Sequence, residues 1–180
     1  MLTVALVVTV MLLTRPKPRP RVQLLNLIDF HYVIDQGSCE VMQQQPLLLI
    51  LVHSAPANQH KRRVIRETWG AWRRDVRTLF LLGAVGAERQ VEVELEAQWY
   101  GDVIQGSFLD TYRNLTYKHA MALHWSSTRC PEAHFLLKAD DDIFVNTPAI
   151  VDFLTTAPKT AIMCTHLDGN PVLRNVASVW

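Results

Sequence analysis

Three adjacent aspartates separate two apolar runs in the stretch LLKADDDIFVN, residues 136–146. Ionised carboxylates this close repel one another unless a positive charge compensates them. A hard divalent cation such as Mg²⁺ or Mn²⁺ supplies that charge and prefers oxygen ligands. On an extended chain Asp140 and Asp142 point the same way and Asp141 points the other way. Asp140 and Asp142 are therefore the expected metal ligands.

A metal at this position could hold diphosphate oxygens and neutralise the charge that develops on a leaving nucleotide. Two other interpretations stay open. The aspartates could form a solvated acidic turn beside the helix that begins near Pro148. They could also serve a phosphotransferase or phosphatase, which is less favoured because such motifs usually lie on an early strand and continue with Thr or Val. Here the motif is late and continues with Ile143.

The rest of the chain must position these aspartates. A continuous apolar run over 46–55 predicts a strand that is buried on both faces. Further strands are predicted at 76–83, 102–108 and 134–140, separated by helical patterns. This alternation indicates an α/β fold with a mostly parallel sheet. Ligands bind at the carboxyl ends of such strands, so we expect the aspartates to end a central strand.

Helical patterns lie between the predicted strands. The first has Asn58 as a plausible cap and an apolar stripe formed by Val64, Ile65, Thr68, Trp69 and Trp72. Residues 87–101 fit a strand and a helix equally well. A third helix is predicted to open at Asp110 as its N-cap, and a fourth to carry Pro148 at its first position. Five residues that flank the aspartates are predicted to be core: Leu136, Leu137, Ile143, Phe144 and Val145.

Composition limits the possible classes of protein. With 49% hydrophobic and 19% charged residues among 180, the chain is long and apolar enough for one globular domain. A net charge of +1 argues against a nucleic-acid binder. The three cysteines, Cys39, Cys130 and Cys164, form no C-x-x-C pair, which argues against zinc. In a secreted protein their odd number predicts a free thiol or a missing partner.

The N-terminal residues 1–22 resemble a targeting region rather than part of the domain. Met1–Leu13 carries no charge and has the length of a signal-peptide hydrophobic region, which predicts a signal or signal-anchor segment. The basic, Pro-rich residues that follow predict an extended linker. A buried strand is the alternative. The basic flank follows the apolar segment, so the positive-inside rule does not support an N-in orientation.

Three blocks of the sequence together resemble the β-1,3-galactosyltransferase family, which includes related N-acetylglucosaminyltransferases. The blocks are LVHSAPANQHKRRVIRETWG, GDVIQGSFLDTYRNLTYKHA and FLLKADDDIFVN. The resemblance covers 39–180 and implies a GT-A-type, Rossmann-like domain that binds a nucleotide sugar. It implies transfer of galactose or N-acetylglucosamine from a UDP-sugar to an acceptor glycan, in β-1,3 linkage with inversion. It further implies Mn²⁺ and a single-pass type II protein of the Golgi membrane.

Site residues follow from the resemblance position by position. Asp140, Asp141 and Asp142 match the family's D-x-D element, which holds Mn²⁺ against the donor diphosphate, and Asp142 is the expected direct ligand. The implied donor-binding residues are His53, Ser54, Arg66, Asp110, Tyr112, Asp140 and Asp141.

Several of these assignments have structural alternatives. Arg66 could instead form a structural ion pair, and Lys118 could be a solvated helix residue. His119 and His124 are expected to be packed or exposed rather than ligands. The NLT sequon at Asn114 lies on a predicted helix, so we expect low glycan occupancy.

Members of the family continue beyond the D-x-D element with segments that bind the acceptor and supply the catalytic base. We therefore expect residues 1–180 to be the donor half of a longer enzyme and to transfer no sugar alone at a normal rate. No catalytic base is assigned. A hypothesis of another class is a non-catalytic nucleotide-binding fragment or a partner of a full-length relative.

Overall fold

The computed structural model describes residues 29–164, apart from 42 and 44. Within this range five strands form one sheet. The strands are β1 (Tyr32–Ile34), β2 (Leu48–His53), β3 (Val76–Ala84), β4 (Val103–Leu109) and β5 (Phe135–Asp140). Their spatial order is β1-β4-β3-β2-β5, and all neighbours run parallel except β1 and β4. The predicted α/β fold with a mostly parallel sheet is confirmed.

Four α-helices connect the strands in the described part of the chain. They are α1 (Gln59–Glu67), α2 (Ala87–Tyr100), α3 (Leu115–Arg129) and α4 (Thr147–Leu154). Short 3₁₀ turns, Pro56–Asn58 and Tyr112–Asn114, precede α1 and α3. Residues 87–100, which fitted both patterns, are helical and end at Gly101, whose φ of 65° favours glycine. None of the helices described is both long and apolar enough to cross a membrane.

Alternating side chains of the sheet build two apolar layers. On β2, Leu48, Ile50 and Val52 pack with Trp69, Phe80 and other residues on the face that carries α1 and α4. Leu49 and Leu51 pack on the opposite face against Met121 and Trp125 of α3. Because β2 is covered on both faces, each of its residues is buried, as its apolar run predicted.

The predicted stripe on α1 is only partly correct. Ile65 and Trp69 are buried, but Val64 is 51% exposed and Trp72 is 80% exposed. The helix ends at Glu67, so Trp72 no longer follows the helical period. Asn58 precedes α1 as predicted, yet its side chain caps no helix amide.

Two further expectations concerned β5, and the structure corrects both. Within the described residues β5 is an edge strand that pairs only with β2, not a central strand. One side of it is therefore open, and Leu136 is 41% exposed. The chain turns away after Asp140, which leaves Ile143 and Phe144 48% and 77% exposed. Of the five flanking residues, Val145 is buried in the core and Leu137 is partly buried against it.

Asp110 is not the cap that the sequence predicted for the third helix. The residue preceding α3 is Asn114, and Thr111 precedes the 3₁₀ turn. The carboxylate of Asp110 instead accepts a hydrogen bond from the Gly83 amide, with N···Oδ2 2.6 Å. A side chain at Gly83 would lie 2.8 Å from the Asp110 Cα, so glycine permits this close approach.

A buried charge network joins α1 to α2. The guanidinium of Arg62, which is 0% exposed, binds both carboxylate oxygens of Glu96 at 2.8 and 2.6 Å. Arg66 contacts Glu96 at 2.8 Å and forms a bidentate pair with Asp102, both distances being 2.7 Å. Burial alone would raise the pKa of Glu96, but its bonds to Arg62 and Arg66 outweigh burial and lower that pKa.

Cys39 and Cys130 form a disulfide, which joins the segment before β2 to the end of α3. Cys164 is free and exposed. The odd cysteine count had left the pairing open. The predicted targeting region, residues 1–22, and the last residues of the predicted domain, 165–180, lie outside the described residues.

Replacing Glu96 with Gln should destabilise the fold by about 3–5 kcal/mol, because it leaves the buried Arg62 charge without its counterion. The pKa of Glu96 is depressed from 4.5, so its contribution is present above that value and is lost as pH falls through the depressed pKa. The difference from wild type should therefore shrink in acid. Urea unfolding of wild type, Glu96→Gln and the exposed control Glu92→Gln measures this. Equal stability of Glu96→Gln and Glu92→Gln at neutral pH would contradict it.

Candidate functional site

The carboxyl ends of β2 and β5 and the segment after β4 enclose a cleft of about 530 Å³. Its polar and charged lining comes from all three sequence blocks that carry the family resemblance: His53, Ser54, Asn58, Asp110, Thr111, Tyr112, Lys118, His119, Lys138, Asp140, Asp141 and Asp142. A larger cavity of about 880 Å³ lies at the amino ends of the strands, beside Cys39 and Glu132. Ligands of parallel sheets bind at the carboxyl ends, so the smaller cleft is the candidate site.

The middle aspartate of the three is fully engaged by the β2–α1 segment. Asp141 Oδ2 accepts hydrogen bonds from Ser54 Oγ at 2.7 Å and Asn58 Nδ2 at 2.8 Å. Lys61 Nζ binds Oδ1 at 3.1 Å. Burial alone would raise the pKa of Asp141, but these three donors outweigh burial and lower that pKa. Asp141 is therefore an ionised anchor whose oxygens are already bonded.

The two outer aspartates are far less engaged. Asp140 contacts Lys138 at 2.5 Å, and its side chain is 50% exposed. Asp142 is exposed and makes no hydrogen bond or ion pair with the residues that the structure describes. These two carboxylates fit a hard divalent cation. No cluster of three His, Cys, Asp or Glu side chains suited to a metal occurs in the described residues. A cation here would therefore need further oxygen ligands from a phosphate or water.

A second buried ion pair forms the opposite wall of the cleft. Lys118 Nζ lies 2.9 Å from Asp110 Oδ2 and donates to the Ser54 carbonyl at 2.7 Å. The Lys118 side chain is 4% exposed, so it is not a solvated helix residue. This lysine ties α3 to the end of β2 and, through Asp110, to the end of β4.

His53 ends β2 and pairs in register with Asp140. Its side chain is buried, and neither ring nitrogen has a hydrogen-bond partner in the described structure. Burial lowers the pKa of His53 to about 3, helped by the nearby His119, Lys138 and Lys118. The ring is therefore neutral at physiological pH. His119 is exposed, and its ring centre lies 4.3 Å from that of His53.

The sequence profile of the family described as Galactosyltransferase matches residues 60–180. The match includes α1, the Asp110 segment and the three aspartates. This chain belongs to the galactosyltransferase family. Its mostly parallel sheet agrees with the GT-A-type, Rossmann-like fold implied by the resemblance.

Individual members of the galactosyltransferase family are similar over much of the chain. A human acetylgalactosaminyl-O-glycosyl-glycoprotein beta-1,3-N-acetylglucosaminyltransferase is 48% identical over 122 residues, 62% of this chain and 32% of the relative. A pig UDP-GalNAc:beta-1,3-N-acetylgalactosaminyltransferase 1 is 44% identical, covering 70% and 40%. Human beta-1,3-galactosyltransferase 4 is 39% identical, covering 76% and 38%. The matched part thus spans 32% to 40% of these relatives.

Most residues assigned by family resemblance line the cleft, but Arg66 does not. The cleft lining includes His53, Ser54, Asp110, Tyr112 and the three aspartates. Arg66 is held by Glu96 and Asp102, and its guanidinium carbon lies 3.9 Å from the centre of the Tyr100 ring. These contacts match the alternative interpretation, in which Arg66 forms a structural ion pair. They do not support the predicted contact between Arg66 and the nucleotide.

Several polar residues contact the site although the sequence assigned them no role in it. Asn58 and Lys61 bind Asp141, Lys138 binds Asp140, and Arg62 binds Ser54. The sequence signal that could have found Arg62 and Lys61 is their spacing. Lys61 and Arg62 lie three and four residues after Asn58, at the start of α1 and close in sequence to the end of β2. The sequon residue Asn114 donates its Nδ2 to the Leu109 carbonyl at 2.8 Å.

Replacing His53 with Gln should flatten the acid dependence of stability. The folded-state pKa of His53 is about 3, against an ordinary 6.5. The neutral ring therefore contributes stability above pH 6.5 that is lost as pH falls towards 3. At about 1.4 kcal/mol per pKa unit, wild type should lose roughly 2–3 kcal/mol more than His53→Gln between about pH 7 and 4.5.

Chemical unfolding across this pH range checks the prediction, with His134→Gln on the exposed surface as the matched control. If the stability of wild type and of His53→Gln falls in parallel with pH, the buried ring does not cause the predicted loss of stability in acid.

Proposed function

We propose that this cleft binds a UDP-sugar and that the protein to which it belongs transfers the hexose to an acceptor glycan. The supporting observation is the charge of the cleft. Four aspartates and two lysines line it, and Lys61 pairs with Asp141 from beside it, so one negative charge, that of Asp142, has no cationic partner among the described residues. A diphosphate alone would be repelled by this surface, whereas a diphosphate with a divalent cation fits it. We expect donor binding that requires a metal.

Asp142 and Asp140 would hold that metal, which we propose to be Mn²⁺. When bound, the metal supplies positive charge against the diphosphate and so stabilises UDP as a leaving group. Asp142 is the better candidate for direct contact because no described residue competes for its oxygens. Asp140 must be shared with Lys138, whose side chain is 43% exposed.

The remaining wall of the cleft would position the donor. Lys118 holds Asp110 and the end of β2 in a fixed relation, so this side of the cleft is rigid. Tyr112 lines the cleft and is 51% exposed. We propose that Asp110 and Tyr112 border the donor and that His53 lies beneath the uridine.

The chemistry we propose is an inverting transfer in β-1,3 linkage. An acceptor hydroxyl attacks the anomeric carbon on the face opposite UDP, the bond to the UDP oxygen breaks, and the hydroxyl proton passes to a general base. The described residues suit the leaving-group side of this reaction, and no base is assigned among them. The names of similar proteins include galactosyl, N-acetylgalactosaminyl and N-acetylglucosaminyl transferases, so each is a candidate sugar.

We further propose a lumenal position in the Golgi, as a single-pass type II membrane protein. The disulfide between Cys39 and Cys130 supports this proposal, because disulfides persist in the secretory pathway and are rare in the cytosol. The uncharged segment Met1–Leu13 supports it as the anchor.

Replacing Asp142 with Asn should weaken Mn²⁺-dependent UDP binding by at least about 10- to 100-fold, the range seen when even indirect partners of metal ligands are lost. Calorimetry of UDP binding with Mn²⁺ and with excess chelator measures the effect. Asp152→Asn, an exposed aspartate on α4, is the matched control and should bind as wild type does. UDP binding that is equally tight in chelator would refute the metal assignment.

Transfer itself is tested by incubating the protein with each UDP-sugar and a β-linked acceptor sugar, and by measuring the disaccharide product. Loss of product in Asp142→Asn and retention in Asp152→Asn would support the proposal. Metal-dependent UDP binding without any product, in a protein extended to the full length of its relatives, would instead indicate a nucleotide-binding protein that is not an enzyme.

A further inference from the structure

The β2–α1 segment forms a continuous chain of hydrogen bonds from the buried Glu96 to the aspartate turn. Glu96 binds Arg62, and Arg62 Nη1 donates to Ser54 Oγ at 3.0 Å. Ser54 Oγ in turn donates to Asp141 Oδ2 at 2.7 Å. Ser54 is 4% exposed and Arg62 is 0% exposed, so water does not substitute for these bonds.

Arg62 also fixes the backbone that follows Ser54. Its Nη1 donates to the Ala55 carbonyl at 2.6 Å, and its Nη2 donates to the Pro56 carbonyl at 3.2 Å. A guanidinium has a rigid planar set of donors. The position of the Ser54 hydroxyl is thus set by a group that is itself clamped by Glu96.

We propose that Ser54, held by Arg62, is a positioning residue that fixes Asp141 and thereby sets the metal-facing arrangement of Asp140 and Asp142. This inference rests on the proposed function. It changes the role expected for Ser54 and Asp141, which the family resemblance assigned to donor binding. Ser54 and Asp141 act on the aspartate turn and not on the donor. A carboxylate with both oxygens bonded to protein donors has little capacity left for a ligand.

The geometry gives the physical reason. Asp140 ends β5 and Asp142 is exposed, so neither is held by the core. Asp141 is the one member of the turn with three protein donors, from Ser54, Asn58 and Lys61. Asp141 and Asp142 form a turn directly after β5. Because Asp141 is bonded to the β2–α1 segment, its side chain fixes the backbone of this turn, and this backbone sets the directions in which the neighbouring carboxylates of Asp140 and Asp142 extend towards the expected cation.

The test uses Ser54→Ala, because Arg62 keeps its bonds to Glu96 and to both carbonyls when the hydroxyl is removed. An Arg62 variant would leave Glu96 buried without a counterion and could fail to fold. The matched control is Ser127→Ala on α3, whose hydroxyl donates to a backbone carbonyl on the exposed surface. Two readouts are needed, one without metal and one with metal.

The first readout is amide hydrogen exchange of residues 140–143 in metal-free protein. Ser54→Ala should exchange at least about tenfold faster there than wild type and Ser127→Ala, as expected when a hydrogen bond to a charged group is lost. Unchanged exchange would overturn the inference whether or not the protein binds UDP.

The second readout is the Mn²⁺ concentration that gives half-maximal UDP binding. It should rise about 10- to 100-fold in Ser54→Ala and recover at saturating Mn²⁺, since the ligands themselves remain. Ser54→Ala should not raise this concentration further in an Asp141→Ala background, because Asp141→Ala already removes the acceptor of the Ser54 hydroxyl. Additive losses, or a half-saturation equal to wild type, would refute the positioning role. Absence of metal-dependent binding in wild type would refute the proposed function instead.

Discussion

The bidentate pair between Arg62 and Glu96 is the interaction on which the rest of the site depends. Removing two charges from water costs several kcal/mol each, and the cost is recovered only when geometry and hydrogen bonding are close to complete. Here the guanidinium uses its remaining donors on the Ser54 hydroxyl and on two carbonyls. The same group that stabilises the packing of α1 on α2 therefore also fixes the end of β2.

The hydrogen bonds that begin at Arg62 continue through Ser54 to both walls of the cleft. Ser54 links the end of β2 to Asp141 through its hydroxyl and to Lys118 through its carbonyl. Lys118 in turn holds Asp110, which binds the amide of Gly83 at the end of β3. The carboxyl ends of β2 and β5, the β3 end and the segment after β4 are thus connected by polar bonds. A cleft built this way needs little rearrangement to receive a charged ligand.

The sequence was sufficient to predict the layer structure and the position of the aspartates. Continuous apolar strands and helical periods are local signals, and β2 is buried throughout as its run of Leu, Ile and Val predicted. The cleft residues His53, Ser54 and Asp110 were assigned to the donor site by the family resemblance, and in the structure they line the cleft at the strand ends. The family resemblance added the D-x-D assignment.

What the sequence did not predict depends on contacts between distant segments. Arg66 and Arg62 are both cationic residues on α1, and only the structure shows that Glu96 and Asp102 neutralise them. Asp110 is a residue type that commonly caps helices, but its carboxylate instead accepts hydrogen bonds from the Gly83 amide and from Lys118. Leu136 and Phe144 read as core from their types, yet β5 has a neighbour on one side only in the described sheet. Tertiary partners decided each of these cases.

The central claim is that Asp140 and Asp142 hold a metal on the donor diphosphate while Asp141 stays bound to Ser54. A crystal structure of the protein with UDP and Mn²⁺, with anomalous data collected at the manganese edge, tests it most directly. We expect one manganese peak between the diphosphate and the carboxylates of Asp140 and Asp142, with the bond from Ser54 Oγ to Asp141 intact. A manganese ion bound through Asp141, or UDP bound away from the carboxyl ends of β2 and β5, would contradict it.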